Sequence, residues 1–186
     1  MLSSSFFIII LIDFFLGDPY WLPHPVRWTG HLISVSERMF YPDNGNCARK
    51  GFAGIVTCVF VTAVVCGAGG LFLFLCKQIS GEVYRAGGII IGFYCLSGRS
   101  LVTESLIVRK YLLKNDIERA RYAVSRIVGR DSANMDSEQV SRAAVETIAE
   151  NIVDGIISPL FYLILGGPVA ALAFKAISTM DSMIGY

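Results

Sequence analysis

Charge is scarce in this chain. Of its 186 residues only 17% are charged and 54% are hydrophobic, where a soluble domain carries about 25% charge. The mean hydropathy of +0.57 points to a membrane as the surrounding medium. No excess of one sign exists either, because 16 Lys and Arg face 15 Asp and Glu, for a net charge of +1. That balance cannot neutralise a run of phosphates, so general nucleic-acid binding is excluded and any charge chemistry is local. The five cysteines make no C-x-x-C pair, and four of them lie in apolar runs. They read as small apolar filler in a reducing or lipid setting rather than as a metal or disulfide framework. The marks of a secretory leader are missing too. No basic segment precedes the apolar residues 2–16 and no small-residue cleavage site follows, which predicts a retained first membrane helix.

What is present is a set of apolar runs, about 2–16, 51–76, 86–108 and 155–174. The first is short for a hydrocarbon core of ~30 Å, and it contains Asp13. An ionisable residue in a membrane segment is a functional candidate by default, although one near the end of a run can also snorkel. The second is long and uncharged, and its small residues Gly67 to Gly70 suit close helix packing. The third passes Gly87, Gly88 and Gly92 and continues through Arg99 and Glu104, which predicts a helix leaving the bilayer partway. The fourth is broken by Pro159 and by Gly166-Gly167-Pro168. A plain span and a re-entrant hairpin are both compatible with it, and we lean to the hairpin, since broken backbone at membrane depth must lie within protein or line a cavity.

The expected fold is therefore all-α, a multi-pass integral membrane protein with a polar helical loop over residues 109–154. Within that loop Asp116 can cap a helix lined by Ile117, Ala120, Val124 and Val128, with Gly129 as its stop. Asp136 with Gln139 three residues on is a capping-box pattern that starts another. Lys and Arg concentrate in 17–50 and 109–154. With two spans between them, these segments fall on one face, which the positive-inside rule makes cytoplasmic.

Three stretches could carry chemistry. In LGDPYWLPHPVRWTG, Leu16–Gly30, the prolines favour extended or turn backbone. They hold His24 between them, and Arg27 can offer a fork to phosphate or carboxylate. A membrane-exit loop anchored by Pro and Trp is the plainer reading. In GRDSANMDSEQVSRAAVETIAENIVDG, Gly129–Gly155, a helix over 137–153 puts Arg142, Glu146 and Glu150 on one face with Asn151 adjacent and Asp154 at its end. Carboxylates a turn apart can hold hydrated Mg²⁺ bridged to a substrate phosphate. Arg130 and Arg142 could then clamp phosphate oxygens, with Asp131 orienting one of them. The plainer reading is a solvated face with an ordinary Arg142–Glu146 pair, but this row runs directly into an apolar segment. The third stretch, KAISTMDSMIGY, places Lys175 and Asp181 in a polar patch after the last apolar run, where a capped helix end is the commoner explanation.

Together these stretches resemble the cobalamin-biosynthesis membrane proteins of the CobD/CbiB type, the adenosylcobinamide-phosphate synthases. The resemblance is carried by DxxLGDP at Asp13–Pro19, PHPVR at Pro23–Arg27, GRD at Gly129–Asp131, RAAVETIAENIVDGIISPLF at Arg142–Phe161 and KAxxTxDSMIGY at Lys175–Tyr186. It implies a multi-pass protein of the bacterial inner membrane with its functional loops cytoplasmic. The activity implied is ATP- and Mg²⁺-dependent formation of an amide between aminopropanol, or its phosphate, and the corrinoid adenosylcobyric acid. Under that resemblance Glu146, Glu150, Lys175 and Asp181 are the expected catalytic residues, and Glu146, Glu150 and Asp154 the metal ligands. His24, Arg27, Arg130, Asp131, Arg142 and Asn151 would bind substrate or phosphate. Ser178 and Phe174 stand where the family pattern has Asn and Tyr, and the chain is expected to lack the family's C-terminal part. Two other functions fit a broken apolar run and an intramembrane Asp13: a transporter, or a non-catalytic membrane sensor or scaffold of the same superfamily.

Overall fold

A computed structural model describes residues 2–17, 25–40, 47–129 and 131–184, and every regular element among them is helical. Three helical stretches, Arg49–Ile79, Gly81–Leu113 and Ser137–Ile184, are long and apolar enough to cross a membrane. The molecule is thus an all-α, multi-pass membrane protein. Phe52, Ile55, Val59, Leu71 and Phe74 stand exposed along the first of these stretches. Such an apolar surface suits lipid, not water.

Helices α1 (Leu2–Leu16), α3 (Cys47–Ile79) and α4 (Gly81–Cys95) form the bundle. α3 and α4 pack as a hairpin turned at Ser80, whose hydroxyl accepts the Val83 N–H at 3.1 Å and caps α4. Gly87 lets Phe72, Leu73 and Cys76 of α3 come close. α1 lies along α4, with Ile9 seated on Gly92. Ile9, Leu73, Ile91, Cys95, Leu96 and Leu163 close the core between them.

α8 (Ser158–Ile184) consists of two helical arms that meet at Gly167, with φ 71° and ψ −166°. The chain folds back there: Tyr162 in the first arm stacks on Phe174 in the second, with ring centroids 5.1 Å apart. Twelve residues of unbroken helix would advance about 18 Å. The local chemistry explains the reversal. Gly167 accepts a positive φ that side chains resist, it precedes a proline that disfavours helical geometry before it, and Pro168 then suits the first position of the new arm. Pro168, at the start of the second arm, lies against Gly88, and that arm returns along α3, meeting Gly69 through Leu172 and Val61 through Met180.

α2 (Pro25–Phe40) corrects one expectation. Pro25 does not prolong an extended loop but opens a helix, because a fixed φ and a missing N–H cost nothing at a helix start. Its Ile33 packs on Val61 and Met180. A second correction concerns the third apolar run, which is not one helix. It breaks at Leu96–Ser97 and resumes as α5 (Gly98–Leu113).

α5, α6 (Ile117–Ser125) and α7 (Ser137–Ile152) form a separate polar layer around Val108, Ala120, Val124, Val140, Ala143 and Ala144. Asp116 caps α6 by accepting the Arg119 N–H at 3.2 Å. Asp136 and Gln139 form a full capping box at the start of α7. α6 ends at Ser125, earlier than the Gly129 stop expected, because the following loop is tied back onto it. Arg121 Nε donates to the Met135 carbonyl at 2.6 Å and Ser132 Oγ donates to the Arg121 carbonyl at 3.2 Å.

Candidate functional site

α7 buries Val140, Ala143, Ala144 and Thr147 against its neighbours, so its opposite side presents Arg142, Glu146 and Glu150, all exposed. Arg142 Nε lies 3.5 Å from Glu146 Oε1 in an exposed pair, an arrangement worth a few tenths of a kcal/mol. Asn151 is half-buried, its Nδ2 donating to the Thr147 carbonyl of its own helix at 2.9 Å.

Directly after this face the chain widens into a π-helical turn, Val153–Ile157, with half-buried Asp154 inside it. The cause is Pro159. In a regular helix the residue at 159 would donate to the Gly155 carbonyl, but proline has no N–H and its ring would press on that carbonyl. The turn opens to avoid the clash, and the Gly155 carbonyl accepts instead from the Ser97 backbone N–H at 3.0 Å. Ser97 has that donor to spare because α4 has just ended. Such π turns recur at functional sites, and this one follows the acidic face without a gap.

The remaining residues expected from sequence fall in different places. Arg27 is exposed on the first turn of α2. Asp131 is exposed, with its Oδ1 accepting the Ala133 N–H at 2.9 Å in a local turn. Lys175 is half-buried on the returning arm of α8, and Asp181 is exposed near the arm's end. His24 and Arg130 lie outside the described residues. Among the described residues no group of three or more His, Cys, Asp or Glu side chains stands close enough to hold a metal ion. Glu146, Glu150 and Asp154 therefore do not form a ready three-carboxylate cage.

Two features were not anticipated. Glu104, with a side chain 15% exposed, accepts from Arg126 Nη2 at 2.9 Å and ties α5 to the end of α6. Asp13 is buried beside Gly98, the first residue of α5. Its intramembrane position was legible, its neighbour was not. An apolar cavity of about 590 Å³ lies elsewhere, between Phe6, Ile9, Gly88, Leu163, Gly167 and Pro168, and no sequence-derived site residue lines it.

A multi-pass helical membrane protein with a polar helical layer and an acidic helix running into its bundle is the class this geometry defines. The family model described as CobD/Cbib protein matches residues 6–186, and the chain belongs to the CobD/CbiB family. It is 41% identical over 180 residues to the cobalamin biosynthesis protein CobD of Pelobacter propionicus, covering 96% of this chain and 54% of that protein. It is 42% identical over 178 residues to cobalamin biosynthesis protein CbiB of Salmonella typhimurium, covering 95% and 55%. Identity to CobD of Listeria monocytogenes is 37% over 188 residues, covering 99% and 57%. The chain thus spans somewhat over half the length of these curated relatives. No solved structure matches it.

Proposed function

We propose that this chain carries part of an amide-forming ligase of cobalamin biosynthesis. Its substrates would be adenosylcobyric acid, aminopropanol or its phosphate, and ATP. The reaction needs a propionate carboxylate to be activated. Transfer of the γ-phosphoryl group of ATP to that carboxylate gives an acyl phosphate and ADP. The amine then displaces phosphate, losing a proton as the amide forms. Both steps build charge on phosphoryl oxygens, where cationic side chains and metal contribute most.

The observation that carries this reading is the acidic face of α7 running straight into the turn that docks on the membrane bundle, in a chain of this family. Mg²⁺ keeps most of its waters and is usually held by one or two carboxylates plus substrate phosphates. Glu150 and Asp154, with Glu146, supply hard oxygen donors of that kind without needing a cage. When bound, Mg²⁺ would neutralise phosphate charge. Arg142, Arg27, Arg130 and His24 are the groups for phosphate or carboxylate, with Asp131 and Asn151 positioning. Lys175 and Asp181, on the returning arm, are further catalytic candidates. The functional loops are assigned to the cytoplasmic side of the inner membrane, where ATP is. The test is Glu150→Ala in a full-length homologue, assayed for adenosylcobinamide phosphate; wild-type rates sink the reading.

A transport function is the second reading, and the reversal of α8 at Gly167 favours it, because transporters build sites on discontinuous helices. Corrinoid flux in liposomes without ATP turnover would support it over the ligase.

A further inference from the structure

Three interruptions of regular structure meet at one point in this molecule. α4 stops before Ser97, α7 loosens at Gly155, and α1 ends beside Gly98. Ser97 donates twice to the Gly155 carbonyl, from its backbone N–H at 3.0 Å and from its hydroxyl at 3.4 Å. A Cβ at Gly155 would overlap the Ser97 hydroxyl. A Cβ at Gly98 would stand 2.7 Å from Asp13 Oδ2 and 3.4 Å from Ile156 Cδ1. Asp13 is 8% exposed, and its carboxyl group faces the start of α5. Just past the end of α1, Gly17 at φ +59° has no room for a side chain beside Arg99.

We propose that Asp13, Ser97 and Gly98 are positioning residues that hold the π-helical turn in register against the membrane helices. They thereby set where the oxygen donors of Glu150 and Asp154 stand for the Mg²⁺ that would bridge them to the substrate phosphate. The geometry stands by itself; its catalytic consequence rests on the function proposed above. Register matters because one residue of slip rotates a helical side chain by about 100°. Asp154 sits inside the turn and Glu150 just before it. The π turn changes the angle between Glu150 and Asp154 from its regular-helix value, so regularising it would rotate Asp154 relative to Glu150.

The test uses the purified chain and four variants, Gly155→Ala, Ser97→Ala/Gly155→Ala, Pro159→Ala and Glu150→Gln. Two quantities are read, backbone amide exchange over 153–157 and at Ser97, and binding of Mg²⁺-ATP. Gly155→Ala should speed exchange over the turn and weaken Mg²⁺-ATP binding by on the order of tenfold, less than the roughly hundredfold that a 1 Å misplacement of a reacting group can cost. Removing the Ser97 hydroxyl as well makes room for the new methyl, so the double variant should recover both to within about threefold. Pro159→Ala covers the case in which Gly155→Ala fails to fold. It restores a donor for the Gly155 carbonyl, so the Ser97 amide should exchange faster in a protein that still folds. Unchanged exchange in Gly155→Ala, no recovery in the double variant, or a still-protected Ser97 amide in Pro159→Ala overturns the node. If instead Glu150→Gln binds Mg²⁺-ATP like wild type, the functional reading falls, and exchange still decides the node.

Discussion

Glu104 on α5 and Arg126 after α6 are joined by a hydrogen-bonded ion pair of 2.9 Å, with only 15% of the glutamate side chain exposed. The pair ties α5 to the end of α6. Hydrogen bonds to charged groups exceed the value of exposed surface pairs. Glu104→Gln and Arg126→Ala should each cost about 1 kcal/mol, with a coupling of similar size in a double-mutant cycle. Thermal unfolding of detergent-purified protein measures this. Additive losses would show that the pair contributes no coupling.

Gly167 tests the reversal of α8. A Cβ there meets nothing within 4 Å, so any cost of Gly167→Ala comes from its backbone at φ +71° and ψ −166° alone. Such glycine-only conformations cost other residues about 1–3 kcal/mol. Gly166→Ala has a different cause of loss, since its Cβ would lie 2.6 Å from that of Ala170. Gly166→Ala combined with Ala170→Gly should recover stability, whereas no neighbour change should rescue Gly167→Ala.

The stacked rings of Tyr162 and Phe174 clamp the two arms at an interplanar angle of 19°. Tyr162→Phe keeps the ring and should leave stability unchanged, while Tyr162→Ala or Phe174→Ala should lose packing and a pair energy of about 0.5–1.5 kcal/mol. Equal stability of Tyr162→Phe and Tyr162→Ala would show that the clamp contributes nothing.

Arg142→Ala separates function from folding. Its partner Glu146 is 53% exposed and Arg142 is 79% exposed, so stability should change by less than about 0.5 kcal/mol. A large fall in product formation by a full-length homologue carrying the change would then report phosphate handling. Activity and stability both unchanged would remove Arg142 from the site.

The capping box of α7 gives a local check on how that helix starts. Asp136 Oδ1 accepts the Gln139 N–H at 2.8 Å and the Gln139 side chain accepts the Asp136 N–H at 2.9 Å. Asp136→Ala should cost about 1 kcal/mol, and Asp136→Ser should recover most of it.

Several of these features were legible because their physics is short-ranged. The caps at Asp116 and Asp136 join residues three apart, and the break at Gly167 uses a glycine next to a proline. α2 was missed because three prolines near its start suggested extended chain, whereas only the N–H and φ of Pro25 bear on where a helix can begin. The π turn had a local cause in Pro159, four residues after Gly155, but nothing nearby says where the displaced carbonyl goes.

Sequence alone determined an all-helical membrane chain, its family, its apolar runs and the acidic row Glu146, Glu150 and Asp154, because composition and spacing express these directly. The tertiary structure decided what lies next to what. Ser97 meets Gly155 across 58 residues, and Asp13 meets Gly98 across more. Those contacts form because each leftover donor, acceptor or charge must find a partner inside a packed, water-poor interior. Which partner it finds depends on how the helices pack.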